Sequence, residues 1–432
     1  MEKFLIAFAF VLLVIVAILF LNEKLVKKTN EIALLFFSLI IGIVLAIFYH
    51  SGSSPFMNEV MDTIDDFRID KLLLDVLLCF MMFTGASELK LPSLVNNFKP
   101  ICLLALLTTV LTAAIYGLLF WGLTSLLGMN IGFVLCFLLG AIVSPTDPIA
   151  ATGILNKMGL PKNVTAVMEG ESLFNDGTGI ALFIFVKSLY VGDGSVHFFL
   201  MMGKELFGAI AVGLLVSFLF SFLIKSTKDP IKHIMVSMVS VSLCYAVCEV
   251  AGFSGGIACA VCGIYFSTMM DRLKLKEKTL DPKDYYKDFW MIVDTILNYI
   301  LYVMIGISFI YVNGTKWVVI LILAAIIFNL VARYIGVYLS TLISRQCPDG
   351  YKTKPFSMLM TWGGLKGGLC LALAMSAADF LPQEAYNFIL LVTFTTIIFT
   401  TVCQGLSVGK TYQMIKKRWP ANPVQEQDAA NE

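Results

Sequence analysis

Ser144-Pro145-Thr146-Asp147-Pro148 interrupts one apolar segment, and Gly170-Glu171-Ser172-Leu173-Phe174-Asn175-Asp176-Gly177 runs through the middle of the next. Both segments, between Ala141 and Tyr190, read as membrane-embedded. A carboxylate at membrane depth is costly, so several of them beside a proline-broken helix mark a binding or transport site. Two prolines remove two backbone donors and disturb the carbonyls one turn earlier, leaving the peptide groups of Ser144 to Asp147 free to face an ion. Irregular backbone at that depth is tolerated only where it lines a cavity or is buried in protein. A plain proline kink would not need Asp147 between the two prolines.

In the second segment Ser172 and Asp176 are four residues apart, as are Glu171 and Asn175. At the helical period all four share an arc of about 140°. A hydroxyl, an amide and two carboxylates on one face supply hard oxygen ligands suited to a small alkali cation. Removal from water disfavours the charged form of an acid, so Asp176 is expected to exchange protons as well. If Asp176 holds a proton or a cation but never both, exchange of the two follows from competition at one group. The bland alternative is a polar network that only joins helices.

The chain as a whole is 58% hydrophobic and 14% charged over 432 residues, with mean hydropathy +0.86. That composition excludes an ordinary soluble domain, and a formal net charge of +1 excludes a generally basic nucleic-acid binder. At about twenty residues per span, apolar segments fall at 4–22, 31–49, 71–88, 101–124, 131–155, 164–190, 198–224, 231–250, 252–270, 288–312, 317–343, 356–378 and 385–409. The expected fold is all-α and polytopic, with about thirteen transmembrane helices. Residues 1–409 form the membrane domain and 410–432 a disordered cytoplasmic tail. No small-residue cleavage site precedes Asn22-Glu23-Lys24, so the first span is kept as a helix.

Lys and Arg divide unevenly between alternate loops, roughly 23 on the side of the C-terminus against 5 on the other. The excess marks the cytoplasmic side, which puts the N-terminus outside. Trp362-Gly363-Gly364-Leu365-Lys366-Gly367-Gly368 weakens the twelfth span at mid-membrane as the prolines weaken the fifth. Their odd separation gives them opposite orientations, as two inverted repeats with broken crossing helices would, and such breaks point to a transporter's substrate site.

Arg333 lies inside span 11 and cannot release its proton, so it requires a carboxylate, for which Glu171 is the candidate. Lys366 places positive charge near the crossing, against Asp147 or helix-end carbonyls. Lys187, Asp75, Glu88 and Glu249 stand near span ends, where snorkelling explains them; Asp294 is deeper and without an evident partner. His50, His197 and His233, at span ends, read as solvated. Nearly all ten cysteines read as packing, and Cys259-Ala-Val-Cys262 lacks the second pair a metal site needs. Asn163-Val-Thr165 is a glycosylation sequon on the cytoplasmic side, where it is inert.

Ser144 to Pro148, Gly170 to Gly177, Ala332-Arg333 and Trp362 to Gly367, in that order and spacing, resemble the NhaP-like branch of monovalent cation:proton antiporters, to which the sodium/proton exchangers belong. The resemblance implies a homodimer with a moving core and a dimerisation domain. It also implies that Asp176 holds the ion or proton, with Thr146, Asp147 and Ser172 completing the site and Glu171 with Arg333 forming a buried ion pair. Asn175 before Asp176 implies electroneutral exchange. Two departures stand out: Lys366 occupies a position that is usually Arg, and Thr84 one where several prokaryotic relatives carry Glu. The implied activity is electroneutral exchange of Na+ or Li+ for a proton in a bacterial or archaeal plasma membrane, without cofactor, nucleic acid or enzymatic chemistry. Alternatives are potassium/proton exchange, an intramembrane aspartyl hydrolase using Asp147 and Asp176, and a channel or sensor. The hydrolase lacks the Gly-x-Gly-Asp element such enzymes carry.

Overall fold

A computed structural model describes residues 2–27, 29–51, 77–147, 149–192, 198–272, 282–312 and 316–419. Lys28, Arg68, Lys71, Asp75, Pro148, His197, Lys274, Lys276, Lys278 and the residues after Trp419 lie outside that set, as does most of the loop expected at 50–70.

The elements are α1 (Glu2–Leu21), α2 (Asn30–Ser51), α3 (Leu78–Glu88), α4 (Leu91–Asn96), α5 (Phe98–Leu126), α6 (Phe133–Val143), α7 (Ile149–Lys157), α8 (Lys162–Val191), α9 (Phe198–Lys225), α10 (Pro230–Ala251), α11 (Gly255–Arg272), α12 (Pro282–Ile307), α13 (Val318–Ser344), α14 (Thr353–Gly363), α15 (Gly368–Ser376) and α16 (Gln383–Arg418). Over the described residues every expected span coincides with a helix, or with a pair of half-helices at the two interrupted ones: α6 with α7, and α14 with α15; residues 71–76 of the third lie outside that set. Eight helices are individually long and apolar enough to cross a membrane. The protein is an all-helical integral membrane protein of about thirteen spans.

Local chemistry sets the ends. Pro161, in extended backbone, opens α8, and Gly192 in the left-handed region at φ 90° closes it. The 30 residues between them make a rod of about 45 Å, longer than the apolar slab and able to carry polar residues through its middle. The broken spans end differently. At the first, Ser144 still bonds back to Gly140 O at 3.0 Å, but Pro145 has no N–H to continue the ladder. At the second, Gly364 and Gly367 adopt non-helical backbone between α14 and α15.

The apolar interior falls into two large clusters. One gathers α6, α15, the C-terminal ends of α8 and α12, and the middle of α16. The other gathers α3, α7, α9 to α11, α14, the N-terminal ends of α8 and α12, and the end of α16. Each broken span contributes one half-helix to each cluster, so the breaks occupy the seam between two apolar masses. The unwound segments meet there in an antiparallel bridge, with Asp147 N donating to Leu365 O at 2.8 Å.

Two expectations change. The stretch after Lys410 is not unstructured at its start: α16 continues to Arg418, because Val408, Tyr412 and Ile415 recur at helical spacing and are buried. His233 is fully buried rather than solvated, with its Nε2 against the carbonyls of Ile224 at 3.1 Å and Thr227 at 2.9 Å.

Candidate functional site

The polar face of α8 meets the first break. Arg333, from α13, grips Glu171 with two parallel hydrogen bonds, Nη1 to Oε1 and Nη2 to Oε2, each 2.8 Å. Both side chains are almost wholly buried. The planar fork matches the carboxylate at both oxygens, the geometry that lets an ion pair survive burial. Asn175 sits one turn on and donates through Nδ2 to Glu171 Oε1 at 2.9 Å and Thr146 Oγ1 at 2.8 Å. Its carbonyl accepts from Thr146 N at 3.4 Å, and Ser172 Oγ donates to the Thr146 carbonyl. Thr146, stripped of helical partners by the break, is therefore held at its amide, carbonyl and hydroxyl by α8.

At the second break, Lys366 is buried and its Nζ donates to the carbonyls of Ser144 and Pro145, both at 3.1 Å. Of the two partners expected for it, the structure selects the helix-end carbonyls. They form the negative end of α6, where a cation is favoured. Asp147 lies at the opening of α7 and packs against Gly367: a Cβ there would come within 3.0 Å of Asp147 Oδ2. Only glycine permits that approach.

Asp176 is the exception on the α8 face. It is half-buried, and among the described residues nothing hydrogen-bonds to it. Its side chain lines a cavity of about 280 Å³ together with Pro145, Thr146, Asp147 and Ser172. The cavity runs past Thr152, Asn156 and Glu169 to Glu88 at the end of α3. Two carboxylates and the hydroxyls of Thr146 and Ser172 line one wall, hard oxygen donors of the kind that suit a small monovalent cation.

All the residues singled out from sequence, Thr146, Asp147, Glu171, Ser172, Asn175, Asp176, Arg333 and Lys366, thus converge on the crossing. Other residues, some absent from the sequence reading and some left unassigned by it, lie around the crossing or elsewhere in the fold. Glu169, two turns before Asp176 on the same face, lines the cavity, and the i, i+7 spacing was the available signal. Asp294 bonds to Thr84 Oγ1 at 2.5 Å and to Asn298 Nδ2 at 2.9 Å, so the threonine at the departing position is tied to an acid from α12. Thr400, Thr401 and Gln404, on a π-helical turn of α16, contact the second broken span. Lys187 rests over the ring of Phe380, 4.7 Å from its centroid. Asn163 of the sequon bonds to Asp349 at 2.7 Å. Cys244, Cys259 and Cys262 are buried, and among the described residues no three His, Cys, Asp or Glu side chains are grouped to hold a metal.

A family model described as sodium/hydrogen exchanger, transmembrane, matches residues 10–412. The chain is 26% identical over 417 residues to the Na(+)/H(+) antiporter NhaP of Pseudomonas aeruginosa, covering 95% of this chain and 96% of that one. It is 30% identical over 399 residues to the Na(+)/H(+) antiporter NhaH of Halobacillus dabanensis, covering 89% and 91%. The solved structure of the sodium proton antiporter MjNhaP1 from Methanocaldococcus jannaschii superposes with a TM-score of 0.74 at 20% identity, over 96% of this chain and 99% of that one.

Proposed function

The chain belongs to the sodium/hydrogen exchanger family, a family of secondary transporters rather than enzymes, and on that premise we propose that it exchanges one Na+ or Li+ for one proton at Asp176. The observation that carries this reading is the contrast on α8: Asp176 opens onto the cavity beside Thr146, Asp147 and Ser172, while Glu171 is occupied by Arg333. A carboxylate with no fixed partner is available to either cargo, and binding of one excludes the other.

The exchange is electroneutral, because Asn175 is neutral and Glu171 stays with Arg333 throughout, leaving one charge to be compensated by either a proton or a monovalent cation. Asp147, Thr146 and Ser172 complete the cation's oxygen shell, and Lys366 holds the crossing against the charge the acids place there. With the C-terminus in the cytoplasm, the cavity opens inward. The protein works as a homodimer in a prokaryotic plasma membrane, and the membrane domain divides into a moving core and a fixed scaffold.

The test is pH change inside proteoliposomes on addition of NaCl, LiCl or KCl. Sodium or lithium should alkalinise or acidify the lumen according to the imposed gradient, with no dependence on membrane potential. Silence toward every alkali cation would refute exchange, and a response to KCl alone would replace sodium by potassium as the cargo.

A further inference from the structure

Lys366 sits in unwound backbone at the middle of the molecule, so neither its N–H nor its C=O has a helical partner, and a buried peptide group left unpaired is costly. Both are met by consecutive threonines of one helix. Lys366 N donates to Thr400 Oγ1 at 3.1 Å, and Thr401 Oγ1 donates to the Lys366 carbonyl at 3.4 Å. Four residues on from Thr400, Gln404 Nε2 donates to the Thr361 carbonyl near the end of α14, at 3.4 Å. Thr400, Thr401 and Gln404 are all buried.

These residues occupy the π-helical turn Phe399–Gln404 of α16. Such a turn accommodates an extra residue and recurs at functional sites; here it lets two adjacent hydroxyls reach the same neighbour. Their grip is passed on. The Lys366 ammonium lies on the carbonyls of Ser144 and Pro145, and the preceding residue, Leu365, accepts from Asp147 N. An unbroken helix thereby sets the position of one broken span, which sets the other. None of the three α16 residues lines the cavity, so they do not touch the cargo.

We propose that Thr400 and Thr401 are positioning residues of the ion site, acting through Lys366 to fix Asp147 opposite Asp176. The proposal rests on the exchange reading above for what the site does, but the bracket itself has its own readout. Full-length T400V, T401V and T400S proteins are compared with wild type by hydrogen–deuterium exchange across Leu365–Gly367, and by sodium-driven proton flux in proteoliposomes over a series of pH values. T400V should speed exchange of the Lys366 amide roughly tenfold or more, as expected for a buried donor that loses its acceptor. It should also raise the sodium concentration for half-maximal flux about threefold or more and displace the pH profile. T400S, which keeps the hydroxyl, should restore both. T401V should shift the flux parameters in the same direction without exposing the Lys366 amide, since it removes the carbonyl's partner.

Unchanged amide exchange in T400V overturns the bracket. Faster amide exchange with wild-type half-saturation and pH profile overturns the positioning role. If T400V fails to fold, T401V and T400S decide: wild-type flux parameters in T401V contradict the proposal. A wild-type protein that moves no cation would sink the exchange reading while the amide result still decides the bracket.

Discussion

Glu171 and Asp176 stand five residues apart on one face of α8, and the fold treats them in opposite ways. Glu171 is enclosed, with both oxygens spoken for by Arg333 and one shared with Asn175. Asp176 faces a cavity and has no hydrogen-bond partner among the described residues. The difference comes from what lies opposite each. α13 presents a guanidinium to one, whereas the broken spans leave open volume beside the other, walled by Thr146, Asp147 and Gly367. A paired charge is fixed in place because separating it strands two buried ions; an unpaired acid can trade its counter-charge. On the proposed reading, architecture and exchange are divided between two acids little more than a turn apart.

The largest expected effect removes the open acid. D176N should bring sodium-driven proton flux to the background of empty liposomes while the purified protein keeps its oligomeric state and thermal stability; retained exchange would move the cargo site elsewhere. Next is the closed acid. E171Q strands Arg333 and should lower stability by about 3–5 kcal/mol, seen as a lower thermal midpoint in detergent. A fully stable but inactive E171Q would erase the division between the two acids.

N175D sharpens the contrast further. Asn175 donates to both Glu171 and Thr146, and an aspartate can donate to neither when ionised. The variant should lose about 1–3 kcal/mol of stability and remain electroneutral, because Arg333 still holds Glu171. A flux driven by membrane potential in N175D would contradict that. The smallest effect belongs to S172A, which removes the hydroxyl that holds the Thr146 carbonyl. Half-saturation by sodium should rise about threefold with turnover largely kept, and a loss of turnover at unchanged half-saturation would assign Ser172 a different part.

Much of this arrangement is legible in the sequence. Prolines at 145 and 148 and the glycines from 363 to 368 announce broken helices by their own backbone chemistry. Arg333 in an apolar span demands a carboxylate, and few lie at comparable depth. What could not be read depends on contacts between distant parts of the chain. Lys366 had two plausible partners, and only the antiparallel crossing of Asp147 with Leu365 places its ammonium on Ser144 and Pro145. The π-helical turn at Phe399–Gln404 has no residue signature, although Thr400, Thr401 and Gln404 are conspicuous polar residues in an apolar span. Asp294 had no visible partner because Thr84 lies 210 residues away. The helical run from Lys410 to Arg418 is hidden in the sequence by its charges, although Val408, Tyr412 and Ile415 recur at helical spacing.

The claim underlying all of this is that proton and cation compete for one carboxylate. The most direct measurement is the sodium concentration for half-maximal flux in wild-type proteoliposomes as a function of pH. Competition at Asp176 requires that value to rise by about tenfold for each unit of pH lowered through the range where the acid is protonated, with the flux at saturating sodium unchanged. A half-saturation that stays constant across pH while flux falls would show the proton and the cation occupying separate groups.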